Sequence, residues 1–185
     1  GNRIVAIRYD CSRRVTSEQL RDVVLFPAVQ VLFVSGNREK LPDAVIPLGL
    51  LYVAASLPDK HPSRILDLCF EESPGEALAA GITEFEPDVI ALGMRNIQNA
   101  DYSGVANMIG YYEELIQVIR GSTSAPIVMG GSGYSVMPSN LTERLRPDYG
   151  ISGEAEISFP ALIEALESGE SVQSVPNLHY FDGDQ

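Results

Sequence analysis

The sequence predicts an α/β fold, a doubly wound (Rossmann-like or flavodoxin-like) and mostly parallel sheet of five to six strands in three α/β/α layers. Three observations carry this. From residue 31 onward, short apolar runs alternate with helical segments. The runs are β-branched or leucine-rich without polar alternation, which suits strands covered on both faces. About 150 residues of this rhythm are too few for an eight-stranded barrel, so the sheet stays open.

The predicted strands are Val31–Ser35, Arg64–Leu68, Asp88–Gly93, Pro126–Gly130, Tyr149–Ser152 and Asn177–Phe181. Between the first two, Pro47 suits the first turn of a helix running to Leu57. Ser73-Pro74-Gly75-Glu76 reads as a capping box, with Pro74 at the first helical position and Glu76 reaching back. Val105, Met108, Ile109, Tyr112, Leu115, Ile116 and Ile119 form one helical stripe, which places Tyr112 in the core and Tyr111 at the surface. Asn140 with Glu143 is a weaker cap for a short helix, and Ile157–Leu166 is a helix that stops before Gly169. Residues 1–30 stand outside the rhythm as an amino-terminal extension, with Arg3–Tyr9 as an edge strand and Ser17–Phe26 as a short helix; residues 31–185 are the domain proper.

Composition narrows the function classes. A length of 185 residues gives one well-buried domain, and 45% hydrophobic with 21% charged residues is ordinary for a soluble globular protein. A net charge of −12 excludes a general nucleic-acid binder, which needs a basic surface. No apolar run reaches membrane-spanning length, because Pro27 and Gln30 interrupt Val23–Ser35. Cys11 and Cys69 make neither a disulfide framework nor a four-thiolate site, and the reducing cytoplasm is the expected compartment. His61 and His179 lie outside any metal-ligand spacing, so no metal site from the chain's own side chains is expected.

In a doubly wound sheet the ligand lies outside the carboxyl ends of the strands, where strand order reverses. The strand-end loops are Ser35–Ile46, Met94–Gly104, Gly131–Met137 and Gly153–Glu156, each longer or richer in glycine than a bare connection requires. The stretch Pro126-Ile-Val-Met-Gly-Gly-Ser-Gly-Tyr-Ser135 runs a strand into three glycines. It is no phosphate loop, lacking Gly-x-x-x-x-Gly-Lys, and no dinucleotide fingerprint, lacking a third glycine at the right spacing. A tight strand-to-helix turn and a ligand-lining loop both remain open. Arg95-Asn96-Ile97-Gln98-Asn99 is either a solvated loop or a set of contacts to a polar ligand edge. Glu154 and Glu156 complement a helix dipole or, less simply, form an acid/base pair. Asp67 reads as a cap. No Ser-His-Asp order or nucleophile elbow is present, so the chain alone does not read as a self-sufficient catalyst.

"IPLGLLYVAASL", "RILDL", "PDVIALGMRNIQNADYSG", "SAPIVMGGSGYSVMP", "DYGISGEAEISFPALIEAL" and "VPNLHYFDGD" match one family in order and spacing. From about residue 31 to 185 the chain resembles the amino-terminal cobalamin-binding domain of class B radical S-adenosylmethionine enzymes, many of them methyltransferases. The resemblance implies a cobalamin whose corrin lies over the carboxyl ends of the strands and whose tail threads beside the sheet. By motif position, Gly130, Gly131, Ser132, Gly133 and Tyr134 would line the tail and corrin edge. Arg95, Asn96 and Ile97 would flank the corrin, Ser35, Gly36 and Asn37 would close the first loop, and Gly153 with Glu154 the far side. The Asp-x-His-x-x-Gly motif of mutase-type cobalamin proteins is absent: Ser35–Pro47 holds no histidine to ligate cobalt. The family's S-adenosylmethionine and 4Fe-4S cluster belong to a carboxyl-terminal radical domain, in cis or in trans, which this sequence does not contain. The chain is then expected to be one domain of a longer enzyme, with a stand-alone relative as the other reading. Two other readings stand beside it: a degenerate domain used for docking or scaffolding, and a small flavin or nucleotide binder.

Overall fold

The computed structural model describes residues 28–40, 42–97 and 108–181; the expected edge strand and helix of the extension lie outside these residues, as do Cys11, Gln98 and Asn99. Six strands, β1 (Val31–Ser35), β2 (Ser63–Asp67), β3 (Val89–Gly93), β4 (Ile127–Gly130), β5 (Tyr149–Ile151) and β6 (Leu178–His179), form one sheet in the order β2-β1-β3-β4-β5-β6. All pairs are parallel except β5 with β6. Six helices follow in chain order: α1 (Leu48–Ser56), α2 (Pro74–Phe85), α3 (Met108–Ser122), α4 (Ser132–Val136), α5 (Pro138–Leu145) and α6 (Ser158–Ser168).

The chain steps outward from β1 to β2, then returns past β1 to β3, β4 and β5. Right-handed crossovers turn that reversal into two helical layers. On one face, Leu32, Val34, Ile90, Leu92, Ile127 and Met129 pack with residues of α2, α3 and α5. On the other, Val31, Phe33, Val89, Ala91, Val128 and Ile151 pack with Phe159, Leu162 and Ile163 of α6 and with the half-buried Leu50 and Val53 of α1. Successive strand residues thus alternate between two apolar layers, which explains why the runs read as uniformly apolar.

Two helix-to-strand turns share a device the sequence did not reveal. Glu86 and Arg146 end α2 and α5 in the left-handed region, each followed by Pro-Asp. The Asp88 carboxylate then accepts the Gln30 N–H at 2.8 Å, and that of Asp148 accepts the Ile127 N–H at 2.7 Å. Each aspartate satisfies a backbone donor where the neighbouring strand begins, at the residue before β1 and at the first residue of β4.

Some local expectations shift. Ser73 caps α2 and Pro74 follows it, but the serine side chain makes no cap hydrogen bond, so the box is not closed. Asn140 lies inside α5, because Pro138 already supplies a first-turn residue. Asp67 does cap: its carboxylate accepts the Cys69 N–H at 3.1 Å at the 3-10 turn Leu68–Phe70. Tyr112 is fully buried, whereas Tyr111 is half-buried rather than a surface residue.

Candidate functional site

A cavity of about 660 Å³ opens at the carboxyl ends of β1, β3, β4 and β5 and runs down the sheet face between α1 and α6. Its walls include Phe33, Ala91, Val128, Ile151 and Phe159, with Leu50 and Val53 from α1. The mouth is polar and mostly uncharged: Ser35, Asn37, Ser132 and Ser135, with Arg95 on one side and Glu154 and Glu156 on the other. An apolar slot below a polar rim is the general form of a small-molecule site, and it lies where the order of strands reverses.

The glycine loop shows why that mouth keeps its shape. Gly131 has φ +99°, and a Cβ there would stand 2.5 Å from the Met94 carbonyl oxygen. A Cβ on Gly133 would come within 3.0 Å of the Arg95 and Asn96 backbone. The two segments are joined by the Gly133 N–H on the Met94 carbonyl (2.9 Å), the Met94 N–H on that of Gly130 (2.8 Å), and the Ser132 hydroxyl on that of Arg95 (2.8 Å). Gly131 and Gly133 therefore exist first for backbone approach between two loops. Gly130, Gly131 and Ser132 still line the cavity, so turn and lining loop are one object.

Of the residues singled out from sequence, Ser35, Asn37, Arg95, Gly130, Gly131, Ser132, Gly153 and Glu154 meet at the cavity. Gly36, Asn96, Ile97, Gly133 and Tyr134 do not line it. Gly36 backs onto the Tyr112 ring, which leaves no room for a Cβ. Ile97 packs against the core on the α2–α3 side. Tyr134 is fully buried there too, its hydroxyl 2.5 Å from the Thr142 hydroxyl, because α4 turns the tyrosine away from the mouth. Burial raises the Tyr134 pKa, with the Thr142 bond opposing. Glu154 and Glu156 precede α6, whose cap is Ile157, so they face the cavity rather than sit in the first helical turn.

Sequence reasoning missed Val45, Ile46, Leu48 and Ser135. The first three form an exposed apolar lip where the chain enters α1. Ser135 reads as a helix residue, yet its hydroxyl donates to the Gly131 carbonyl (2.8 Å) and accepts the Gly153 N–H (2.9 Å). The buried Asn37 turns its carboxamide on the Glu39 backbone, holding the loop after β1.

Other titratable groups stand away from the mouth. Cys69 is buried, and desolvation, followed by the Asp67 charge, raises its pKa. His61 accepts the Val29 N–H on Nδ1, and His179 Nε2 pairs with the Ser152 hydroxyl at 3.0 Å, so neither imidazole lines the cavity. Among the described residues, no group of three or more His, Cys, Asp or Glu is placed to hold a metal ion. Among the same residues, no helix is long and apolar enough to cross a membrane.

The model of the B12 binding domain family matches residues 35–163, from the last residue of β1 into α6. The chain belongs to this family. As a B12 binding domain it is 29% identical over 136 residues to an uncharacterized methyltransferase of Pyrococcus horikoshii, a match covering 72% of this chain and 28% of that protein. It is 26% identical over 146 residues to the tryptophan 2-C-methyltransferase of Streptomyces laurentii, covering 78% and 24%. Among solved structures, the radical S-adenosylmethionine methyltransferase TsrM of Kitasatospora setae, with cobalamin and a 4Fe-4S cluster bound, superposes with TM-score 0.75 at 28% identity. That match covers 84% of this chain and 28% of TsrM. The cobalamin-dependent radical enzyme OxsB shares the fold at TM-score 0.66 and 18% identity, over 90% of this chain and 22% of OxsB. The chain thus spans about a quarter of the length of the curated relatives it matches.

Proposed function

We propose that this chain is the cobalamin-holding domain of a radical S-adenosylmethionine methyltransferase. The observation that carries the proposal is the cavity itself: an apolar slot between α1 and α6 below a polar rim, at the switch point of a B12 binding domain. The donor set fits the cofactor. Phe33, Ala91, Val128, Ile151 and Phe159 suit the flat, apolar benzimidazole of the tail. Ser35 can donate and accept, Ser132 and Ser135, whose protons go to the Arg95 and Gly131 carbonyls, keep acceptor capacity, and Glu154 and Glu156 accept, which suits the N–H groups of the neutral amides around a corrin. The exposed Val45, Ile46 and Leu48 offer an apolar edge to the macrocycle.

Once bound, cobalamin would supply a cobalt-carried methyl group for transfer to a substrate carbon. This chain's part is to bind, orient and shield. The Gly131–Ser135 turn, bonded to both neighbouring loops, keeps the rim from collapsing on the slot. No imidazole lines the cavity, so the described lining residues offer cobalt no histidine ligand. S-adenosylmethionine and the 4Fe-4S cluster would be held by a radical domain in the same chain or a partner, and the substrate would enter there.

Titrating hydroxocobalamin into the purified chain tests the reading. A shift of the corrin visible bands and co-elution on gel filtration are expected. Absence of both would overturn it in favour of a docking module of the same fold.

A further inference from the structure

The loop that leaves β1 at Ser35 places Asn37 at the cavity mouth and ends in the apolar lip of Val45 and Ile46. Residues 42–46 are exposed, so little packing holds that stretch. The segment 37–40 is held from behind instead, by the turn that follows β2. Arg38 Nη1 donates to the Leu68 carbonyl at 2.7 Å and to the Glu71 carbonyl at 2.5 Å. The Cys69 thiol donates to the Glu39 carbonyl at 3.6 Å, and Asn37 Nδ2 donates to the same oxygen at 3.4 Å. Asn37 Oδ1 in turn accepts the Glu39 N–H at 3.2 Å.

The two sides of this contact differ in firmness. Leu68 and Cys69 are buried, the Asp67 carboxylate holds the Cys69 N–H, and the Glu71 N–H closes the turn on the Leu68 carbonyl at 3.3 Å. The turn is therefore part of the core, and the loop is the movable side. Carbonyls that end a helical turn keep spare lone pairs, which the N–H groups of a guanidinium fill. Arg38 takes part in none of the ion pairs among the described residues and does not line the cavity. Its guanidinium serves backbone carbonyls, whereas the nearby Lys40 rests 5.3 Å over the Phe70 ring.

We propose that Arg38 is a positioning residue for corrinoid binding: it fastens the loop after β1 to the β2 turn, so that Asn37 and the apolar lip stand at the mouth before the ligand arrives. This rests on the cobalamin reading above. Arg38 acts through its neighbour Asn37, whose side chain is buried and turned onto the Glu39 backbone. Without the clip the loop samples arrangements that do not bind, and affinity falls with the fraction of molecules still in order. Such a loss shows in the association rate, whereas loss of a direct contact shows in dissociation.

The test is stopped-flow binding of hydroxocobalamin to the wild-type chain, Arg38→Ala, Arg38→Lys and Lys40→Ala, with hydrogen exchange and urea unfolding of each ligand-free chain. Arg38→Ala should slow association roughly 5- to 50-fold and leave dissociation within about 2-fold. Arg38→Lys keeps a charged donor and should recover part of the loss. Lys40→Ala removes a neighbouring charge but no clip and should bind as the wild type does, which separates positioning from a general pull of positive charge. In the ligand-free chain the Glu39 N–H should exchange faster in Arg38→Ala, while the urea midpoint reports any wider loss of stability. Should Arg38→Ala fail to fold, Arg38→Gln, which keeps a neutral donor, carries the same comparison. Unchanged association, faster dissociation, an equal loss in Lys40→Ala, or unchanged Glu39 exchange overturns the role of Arg38 and leaves cobalamin binding standing. A wild-type chain that binds no corrinoid overturns both.

Discussion

The Ser135 hydroxyl accepts the Gly153 N–H at 2.9 Å while donating to the Gly131 carbonyl at 2.8 Å. One oxygen thereby fixes the loop after β5 to the turn after β4, across the cavity mouth. Ser135→Ala removes both bonds at an exposed to half-buried site, which costs about 1–2 kcal/mol at the low end of the usual net value for each of two such bonds. The expected result in urea unfolding is a loss of that size. Hydroxocobalamin affinity should fall by a larger factor than a wall residue's methyl deletion would cause, because Gly153 and Glu154 are released together. Unchanged affinity would mean that the β5 loop holds its place without Ser135.

Gly131 and Gly153 separate two reasons for glycine. Both have positive φ, +99° and +76°, but a Cβ on Gly131 would strike the Met94 carbonyl whereas one on Gly153 would meet nothing within 4 Å. Gly153→Ala should therefore cost only the conformational penalty, about 1–2 kcal/mol. Gly131→Ala adds overpacking against backbone, about 1–3 kcal/mol more, because a carbonyl in a paired strand end cannot move aside cheaply. Chemical denaturation of the ligand-free chain measures both, and equal losses would refute the steric part.

The layout of the sheet was legible because strands covered on both faces leave unbroken apolar runs; Val31–Ser35 matches its expected bounds residue for residue. Strand-end loops were legible by elimination, since neither layer of core needs their glycines and polar residues. Side-chain direction was not. Tyr134 and Ser135 are neighbours in a five-residue helix too short to show a period, yet one goes into the core and the other to the mouth. Gly133 is invisible as a packing residue until the Arg95–Asn96 backbone is seen beside it. The structural role of His61 was not legible either, because its partner Val29 is 32 residues earlier.

His61 is buried at the amino end of the sheet, and Nδ1 accepts the Val29 N–H at 3.1 Å. His61→Ala leaves that donor without its protein partner and opens a small void, a combined cost of about 1–3 kcal/mol. The cavity lies at the opposite end of the strands, so corrinoid affinity should not change. Urea unfolding with a parallel cobalamin titration checks both halves, and loss of affinity without loss of stability would contradict the assignment.

Tyr111 and Tyr112 are adjacent on α3 but face different consequences. Tyr112 donates its hydroxyl to the Gly93 carbonyl at 2.9 Å, whereas the Tyr111 hydroxyl is buried with no hydrogen-bond partner among the described residues. Tyr112→Phe should cost about 1 kcal/mol, while Tyr111→Phe, which deletes an unpaired polar group, should be neutral or stabilising at pH 7. Burial pushes the Tyr111 pKa up to about 12, against Arg38, and pushes that of Tyr112 up as well. Between the ordinary phenol value and that raised one, the unfolded chain releases protons that the folded chain keeps. Stability is therefore intact below about pH 10 and falls as pH rises towards 12. In Tyr111→Phe this alkaline decline should be shallower than in the wild type. Urea midpoints measured from pH 7 to 11 decide it: parallel curves for the two proteins would show that Tyr111 ionises as freely in the folded state as in the unfolded one.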